Sequence, residues 1–226
     1  MLAATASLLA ILLLSTSAPA QTYISGTVTT TTWAAAGSPY HVVGPCAVPI
    51  GNTLTIDPGV DVIFDADVQF VVEGALYAVG TEADSVRFMP NVETDWRGLR
   101  FSGGDSSKLS YVRVYGGHAR ITVARVSAYA RAYTKSARRE TPADANAGAV
   151  YANGGGVYAT GAGTVVSIDH SVIADNIADA NGGGVYVDGA ASIQLSDCYI
   201  RDNHATSGGG LVSSGGSLVV SRSIVQ

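Results

Sequence analysis

The sequence predicts an all-β chain wound as a parallel β-helix, a solenoid of three short strands per coil and about seven coils. Three observations carry this. The chain nearly copies itself from Gly154 onward, at spacings of 28 and 26 residues. Within each copy, short runs alternate apolar and polar residues, the period of a strand. The composition supplies the turns such a chain needs: 27 glycines and only 14% charged residues in 226. Glycine reaches turn conformations that side chains disfavour, and 47% hydrophobic residues can fill a core, which excludes disorder. The net charge of −5 argues against nucleic acid as a partner.

Residues 1–20 are of another material. Leu8–Leu14 is an apolar run too short to span a bilayer, and Ala18-Pro19-Ala20 before Gln21 has the form of a signal-peptidase site. No Lys or Arg precedes the run. The expectation is a signal peptide, export, a mature chain from Gln21, and no transmembrane helix after it. Export permits disulfides. In a stack of coils, however, Cys46 and Cys198 lie several coils apart, and a disulfide needs Cα atoms within about 7 Å. Both are expected as free thiols.

Residues 21–114 are read as N-terminal coils. Leu54, Leu76 and Leu99 recur at 22 and 23 residues, and Val62, Val86 and Leu109 at 24 and 23. Leu54–Gly59 is a strand closed by a Pro-Gly turn.

Residues 150–226 are read as C-terminal coils. Gly154-Gly155-Gly156-Val157-Tyr158 recurs as Gly182-Gly183-Gly184-Val185-Tyr186 and loosely as Gly208-Gly209-Gly210-Leu211-Val212. Val166–Ile168 aligns with Ile193–Leu195 and Leu218–Val220, and Ser171–Ile173 with Cys198–Ile200 and Ser223–Val225. Asp175-Asn176 aligns with Asp202-Asn203, and the third copy stops at Gln226 before its own pair arrives. The helix is therefore expected to be truncated at the C-terminus, with an anchor or barrel missing from this chain. An open last coil of this kind is expected to aggregate.

These residues carry a resemblance. The segments LTIDPGVDVIF, VVEGALYAVGTEADSVRFMP and WRGLRFSG resemble the N-terminal coils of secreted bacterial right-handed β-helix repeat proteins. NGGGVY with IADN, and NGGGVY with IRDN, resemble the repeats of polymorphic outer-membrane proteins, with Val157 and Val185 where Ile is usual and Ile173 and Ile200 where Phe is common. The resemblance implies a right-handed helix of the pectin-lyase-like kind on a bacterial surface or secreted from it. Such folds host adhesins, lyases and hydrolases alike.

Residues 115–149 break the pattern. Seven of the 13 Lys and Arg fall between Arg113 and Arg139. Val123, Val126, Ala130, Tyr133 and Ala137 have the spacing of an amphipathic helix. Three readings stand: a basic lateral insertion, an irregular coil, or an error in the sequence.

No catalytic or metal constellation emerges, and no cofactor is expected. The candidate surface site is weak: Asp175, Asp202, Arg201, Tyr158 and Tyr186. Aspartates in neighbouring coils stand about 4.8 Å apart, close enough to share Ca²⁺ or a proton. Against this, Asp and Asn are turn formers, and Asn176 and Asn203 would then stack as an internal ladder. Tyr158 and Tyr186 are expected to point outward, either as a sugar platform or as plain cross-strand packing. The glycine triplets lack the Asp of a calcium-binding nonapeptide and the Lys of a phosphate loop. His41, His118, His170 and His204 show no metal spacing. The leading expectation is a structural or adhesive module that binds a polysaccharide or another cell-surface partner. The alternative is a polysaccharide lyase or glycoside hydrolase, for which Arg201 beside Asp202 is the nearest thing to a catalytic pair.

Overall fold

A computed structural model describes residues 21–92, 94–103, 105–119 and 154–226. The expected signal peptide and most of the basic stretch, with its expected helical stripe, lie outside the described residues.

Three strands open the fold: β1 (Thr22–Thr27), β2 (Thr31–Trp33) and the long β3 (Tyr40–Val48), with a 3-10 turn at Ala35–Gly37. In the N-terminal half strands then recur in threes, and in the C-terminal half in fours up to β20. β4 (Thr53–Ile56), β5 (Asp61–Phe64) and β6 (Phe70–Val72) are followed by β7 (Ala75–Val79), β8 (Val86–Pro90) and β9 (Leu99–Phe101). Next come β10 (Ser106–Ser110), β11 (Val112–Tyr115) and the two-residue β12 (His118–Ala119). The C-terminal half has β13 (Val157–Ala159), β14 (Val165–Asp169), β15 (Val172–Ala174) and β16 (Ile177–Asn181), then β17 (Val185–Asp188), β18 (Ser192–Ser196), β19 (Tyr199–Arg201) and β20 (His204–Ser207). The last three are β21 (Leu211–Ser214), β22 (Ser217–Ser221) and β23 (Ile224–Val225).

Strands one turn apart in sequence are neighbours in space. One sheet runs β2-β4-β7-β10-β14-β18-β22. A second, strongly curled sheet of 13 strands has two wings joined at β3, which also pairs with β1: β6-β9-β13-β17-β21 on one side, β5-β8-β11-β15-β19-β23 on the other. β3 serves both because its first residues pair with β5 and its last with β6. A small third sheet, β12-β16-β20, bridges the gap between the wings in the later coils. The named strands pair in parallel throughout, for example Val165–Asp169 on Ser192–Ser196 and those on Ser217–Ser221. This is an all-β stack compatible with a parallel β-helix.

Burial follows the strand period. Thr53–Ile56 and Asp61–Phe64 each alternate half-buried and buried residues, and the buried set fills one continuous core. Tyr40, Val62, Phe88, Val114, Ile173 and Ile200 stack in one column through successive pairings. Ring contacts dominate the early coils. Phe64 stacks on Trp96 at 3.9 Å and meets Phe70 edge-on at 6.3 Å, while Trp33 stacks on Tyr40 at 4.8 Å. The Trp96 indole donates to Tyr115 O at 2.8 Å, so this buried ring keeps its polar handle satisfied.

In the N-terminal coils, residues at the recurring spacing are not all neighbours in space. Leu54 does pair with Leu76, yet Leu99 belongs to the other sheet, between Phe70 and Val157. Val62 pairs with Phe88 rather than Val86, and Leu109 lies on Ala78. The reason is unequal coil length. The connections before β8 and before β9 are longer than those before β5 and β6, so a constant spacing drifts from one strand to the next. The C-terminal columns match the repeat alignment residue for residue. Across the segment between them, β10 pairs directly with β14, Ser106 on Val165. The last coil leaves Val219, Val220, Ile224 and Val225 exposed.

Both cysteines are free and buried. Burial pushes the Cys46 thiol up to about 12 and raises that of Cys198, so neither is a ready nucleophile.

Candidate functional site

The repeat's own residues meet at one corner of the coil, where the chain passes from β15 through β16 to the glycines before β17. Asp175 adopts φ +57° and Asp202 +54°, the place that Gly116 holds at +60° one coil earlier. Each turns the chain in a left-handed conformation that Asp tolerates better than most residues. The next residue points inward. Asn176 is fully buried. Its Oδ1 accepts from Gly117 N at 2.9 Å, and its Nδ2 donates to Val114 O at 3.2 Å and to Asn203 Oδ1 at 3.0 Å. Asn203 repeats the pattern one coil on, accepting from Asn176 N at 3.1 Å and donating to Ile173 O at 2.9 Å. The asparagines form the internal ladder that the sequence allowed, and they bond main-chain groups at the corner where the β11–β15–β19 pairing ends.

The glycine triplets complete that corner. Gly154, Gly182 and Gly208 take φ of +69°, +63° and +61°. A Cβ on Gly155 would come within 2.6 Å of Gly183 O in the next coil, and one on Gly156 within 2.9 Å of the Asn176 amide. The first glycine bends, the second lets two backbones close together, and the third makes room for the asparagine. Gly-Gly-Gly and Asp-Asn therefore travel together in the sequence because they touch in space.

Arg201 lies between the aspartates, hydrogen-bonded to Asp202 and 4.0 Å from Asp175, with its guanidinium 5.9 Å from the Tyr199 ring centroid. Both aspartates are exposed and Arg201 is half-buried. The hydrogen bond to Asp202 raises the Arg201 pKa. The position between two carboxylates where a cation would sit is thus held by the protein's own guanidinium. The five candidate residues are not one site: Tyr158 and Tyr186 lie on β13 and β17, in the other wing.

The tyrosines correct an expectation. They pair across coils with ring centroids 5.4 Å apart, but they are only 5% and 7% exposed. Tyr158 donates to Asp188 Oδ2 at 3.0 Å and lies under the Arg100 guanidinium at 5.5 Å. Burial pushes its phenol up to about 12. A platform for sugars needs an open ring face, and these rings are covered.

The histidines are dispersed. His41 Nδ1 is 2.7 Å from Asp65 Oδ2, and Asp65 Oδ1 accepts from Asn91 Nδ2 at 2.7 Å. His118 lies 3.5 Å from Asp179. His204 is on β20, opposite Ile177. Among the described residues no group of three His, Cys, Asp or Glu side chains is placed to hold a metal ion.

A second corner, between the seven-stranded sheet and the β8-β11-β15-β19 wing, was not singled out by any motif. Tyr111, His170, Asp197 and Arg222 occupy it in consecutive coils, each at positive φ. Tyr111 stacks on His170 at 4.8 Å and 17°. Arg222 grips Asp197 with two hydrogen bonds of 2.7 Å, which holds that carboxyl below its ordinary range. Asp169 tends upward through burial, but hydrogen bonds from Ser110 and His170 and the charge of Lys108 outweigh this and lower it. A groove of about 330 Å³ opens beside the column, lined by Glu82, Ser85, Tyr111, Arg113, His170 and Asp197 among others. The repeat alignment does set His170, Asp197 and Arg222 in one column, but different residue types in one column make no motif.

Compared with known proteins, the chain matches no family model, no curated protein and no solved structure.

Proposed function

We propose that this chain is a module of a bacterial surface or secreted protein: a right-handed parallel β-helix of about seven coils that presents its outer faces for binding, with polysaccharide or another cell-surface molecule as partner. Export through the N-terminal segment belongs to the same reading. One observation carries it. The residues that define the repeat, the glycine triplets and the Asp-Asn pairs, work on closing the coil: Asn176 and Asn203 bond main-chain groups, and Arg201 occupies the space between Asp175 and Asp202. A repeat conserved within one chain for winding lengthens the helix and multiplies its outer face, which is what a solenoid binding module uses. The test is co-sedimentation of the full chain with a panel of insoluble polysaccharides and with bacterial cells, run beside an assay for released sugar ends. Saturable binding without product release is expected. Cleavage that disappears on substituting one acidic or basic residue would overturn the reading in favour of a lyase or hydrolase.

A further inference from the structure

We propose that the groove beside Tyr111 and His170 binds a neutral saccharide unit of a glycan. The inference rests on the glycan-binding form of the function above and gives it a place and a ligand class. The groove, at about 330 Å³, lies at the lower end of the range of about 300–1,000 Å³ typical of small-ligand cavities.

Its chemistry is divided in a way that suits a sugar. Glu82 only accepts hydrogen bonds and Arg113 only donates them; both line the groove, and among the described residues neither has a hydrogen-bond or ion-pair partner. Neighbouring sugar hydroxyls both donate and accept, so a diol satisfies the two walls together. The aromatic wall is fixed in place, since the Tyr111 ring is stacked on His170 and Val112 at its foot is buried. The C–H face of a pyranose packs on such a wall. One coil earlier the corner carries Ser85, beside the paired Val86 and Val112, and this small side chain leaves space that a larger one would fill.

The charges favour a neutral ligand over an acidic one. Arg222 already neutralises Asp197, and Lys108 stands 3.7 Å from Asp169. Glu82 and Arg113 then cancel. A uronate carboxylate drawn to Arg113 would share the groove with the like charge of Glu82, whereas an uncharged ring would meet no such repulsion.

The test is isothermal titration of the full chain with cellobiose, maltose and lactose, and with digalacturonate as the acidic probe. Arg113→Met and Glu82→Gln remove one wall each, and Arg201→Met at the other corner serves as control. Both groove side chains are exposed, so the variants are expected to fold. At least one neutral disaccharide binds one per chain, the affinity falls about tenfold in either groove variant, the loss expected for one charged hydrogen bond, and the control is unchanged. Disaccharide binding indifferent to both groove variants would overturn the site and leave the broader glycan reading standing. Binding of digalacturonate alone would overturn the ligand class. No neutral disaccharide bound at millimolar concentration would overturn the proposal, while polysaccharide co-sedimentation would still judge the function on its own.

Discussion

The early and late coils close the same cross-section by opposite means. Around β5, β6 and β9 the corner is filled by rings: Phe64, Phe70, Trp96 and Phe101 are essentially inaccessible to solvent. Around β13 to β20 it is narrow, drawn in by Gly155 and Gly183 and bridged by Asn176 and Asn203. Width set by volume gives a filling that varies from coil to coil. Width set by backbone contact and hydrogen bonds permits one solution, which is why the late coils repeat and the early ones do not.

The largest expected effect lies in the early coils. Phe64→Ala removes a ring held between Trp96 and Phe70 and is expected to lower unfolding free energy by about 4 kcal/mol in urea titration; a loss below about 1 kcal/mol would mean that the ring-filled corner does not depend on ring packing. Gly155→Ala breaks the narrow corner. It forces a Cβ against Gly183 O and should cost about 3 kcal/mol. Gly51→Ala, at φ +76° with open space around it, should cost only about 1 kcal/mol. Equal losses would mean that close approach plays no part.

The cysteines sample one region each. Cys46 and Cys198 are both 3% exposed and burial raises both thiols. Ellman's reagent at pH 8 should label neither in the folded protein and both in denaturant; rapid labelling of Cys198 alone would show the late coils opening first. The smallest effect is acid sensitivity. Asp169 and Asp197 have lowered pKa values in the folded chain. Each therefore contributes stability that is present above the ordinary Asp value of about 3.9 and lost as pH falls through the folded one. Asp169→Asn is expected to flatten the acid limb of the stability curve slightly; an unaltered limb would remove Asp169 from the account.

The fold was legible where the repeat is exact. Three aligned copies set the late columns correctly, and Asp-Asn read as a turn with an internal ladder agrees with the bonds of Asn176. In the early coils the spacings of Leu99 and Leu109 do not mark spatial neighbours, because a longer loop before β9 shifts the strands without any signal in the apolar pattern. Tyr158 was placed outward by alternation, which gives direction but not cover: Arg100 and Tyr186 lie over it. The groove escaped notice because its walls come from turns in three different coils, at Glu82, Tyr111 and His170, with no shared residue type.

The central claim is that the repeat motif closes the coil rather than forming a surface site. Equilibrium unfolding of Asn176→Ala against Arg201→Ala tests it most directly. Asn176→Ala removes the acceptor of Gly117 N–H and one donor to Val114 O in the interior and is predicted to lose about 3 kcal/mol, while Arg201→Ala, a half-buried residue with exposed partners, should stay within about 0.5 kcal/mol of the parent. A neutral Asn176→Ala, or a loss at Arg201 as large as that at Asn176, would contradict the account.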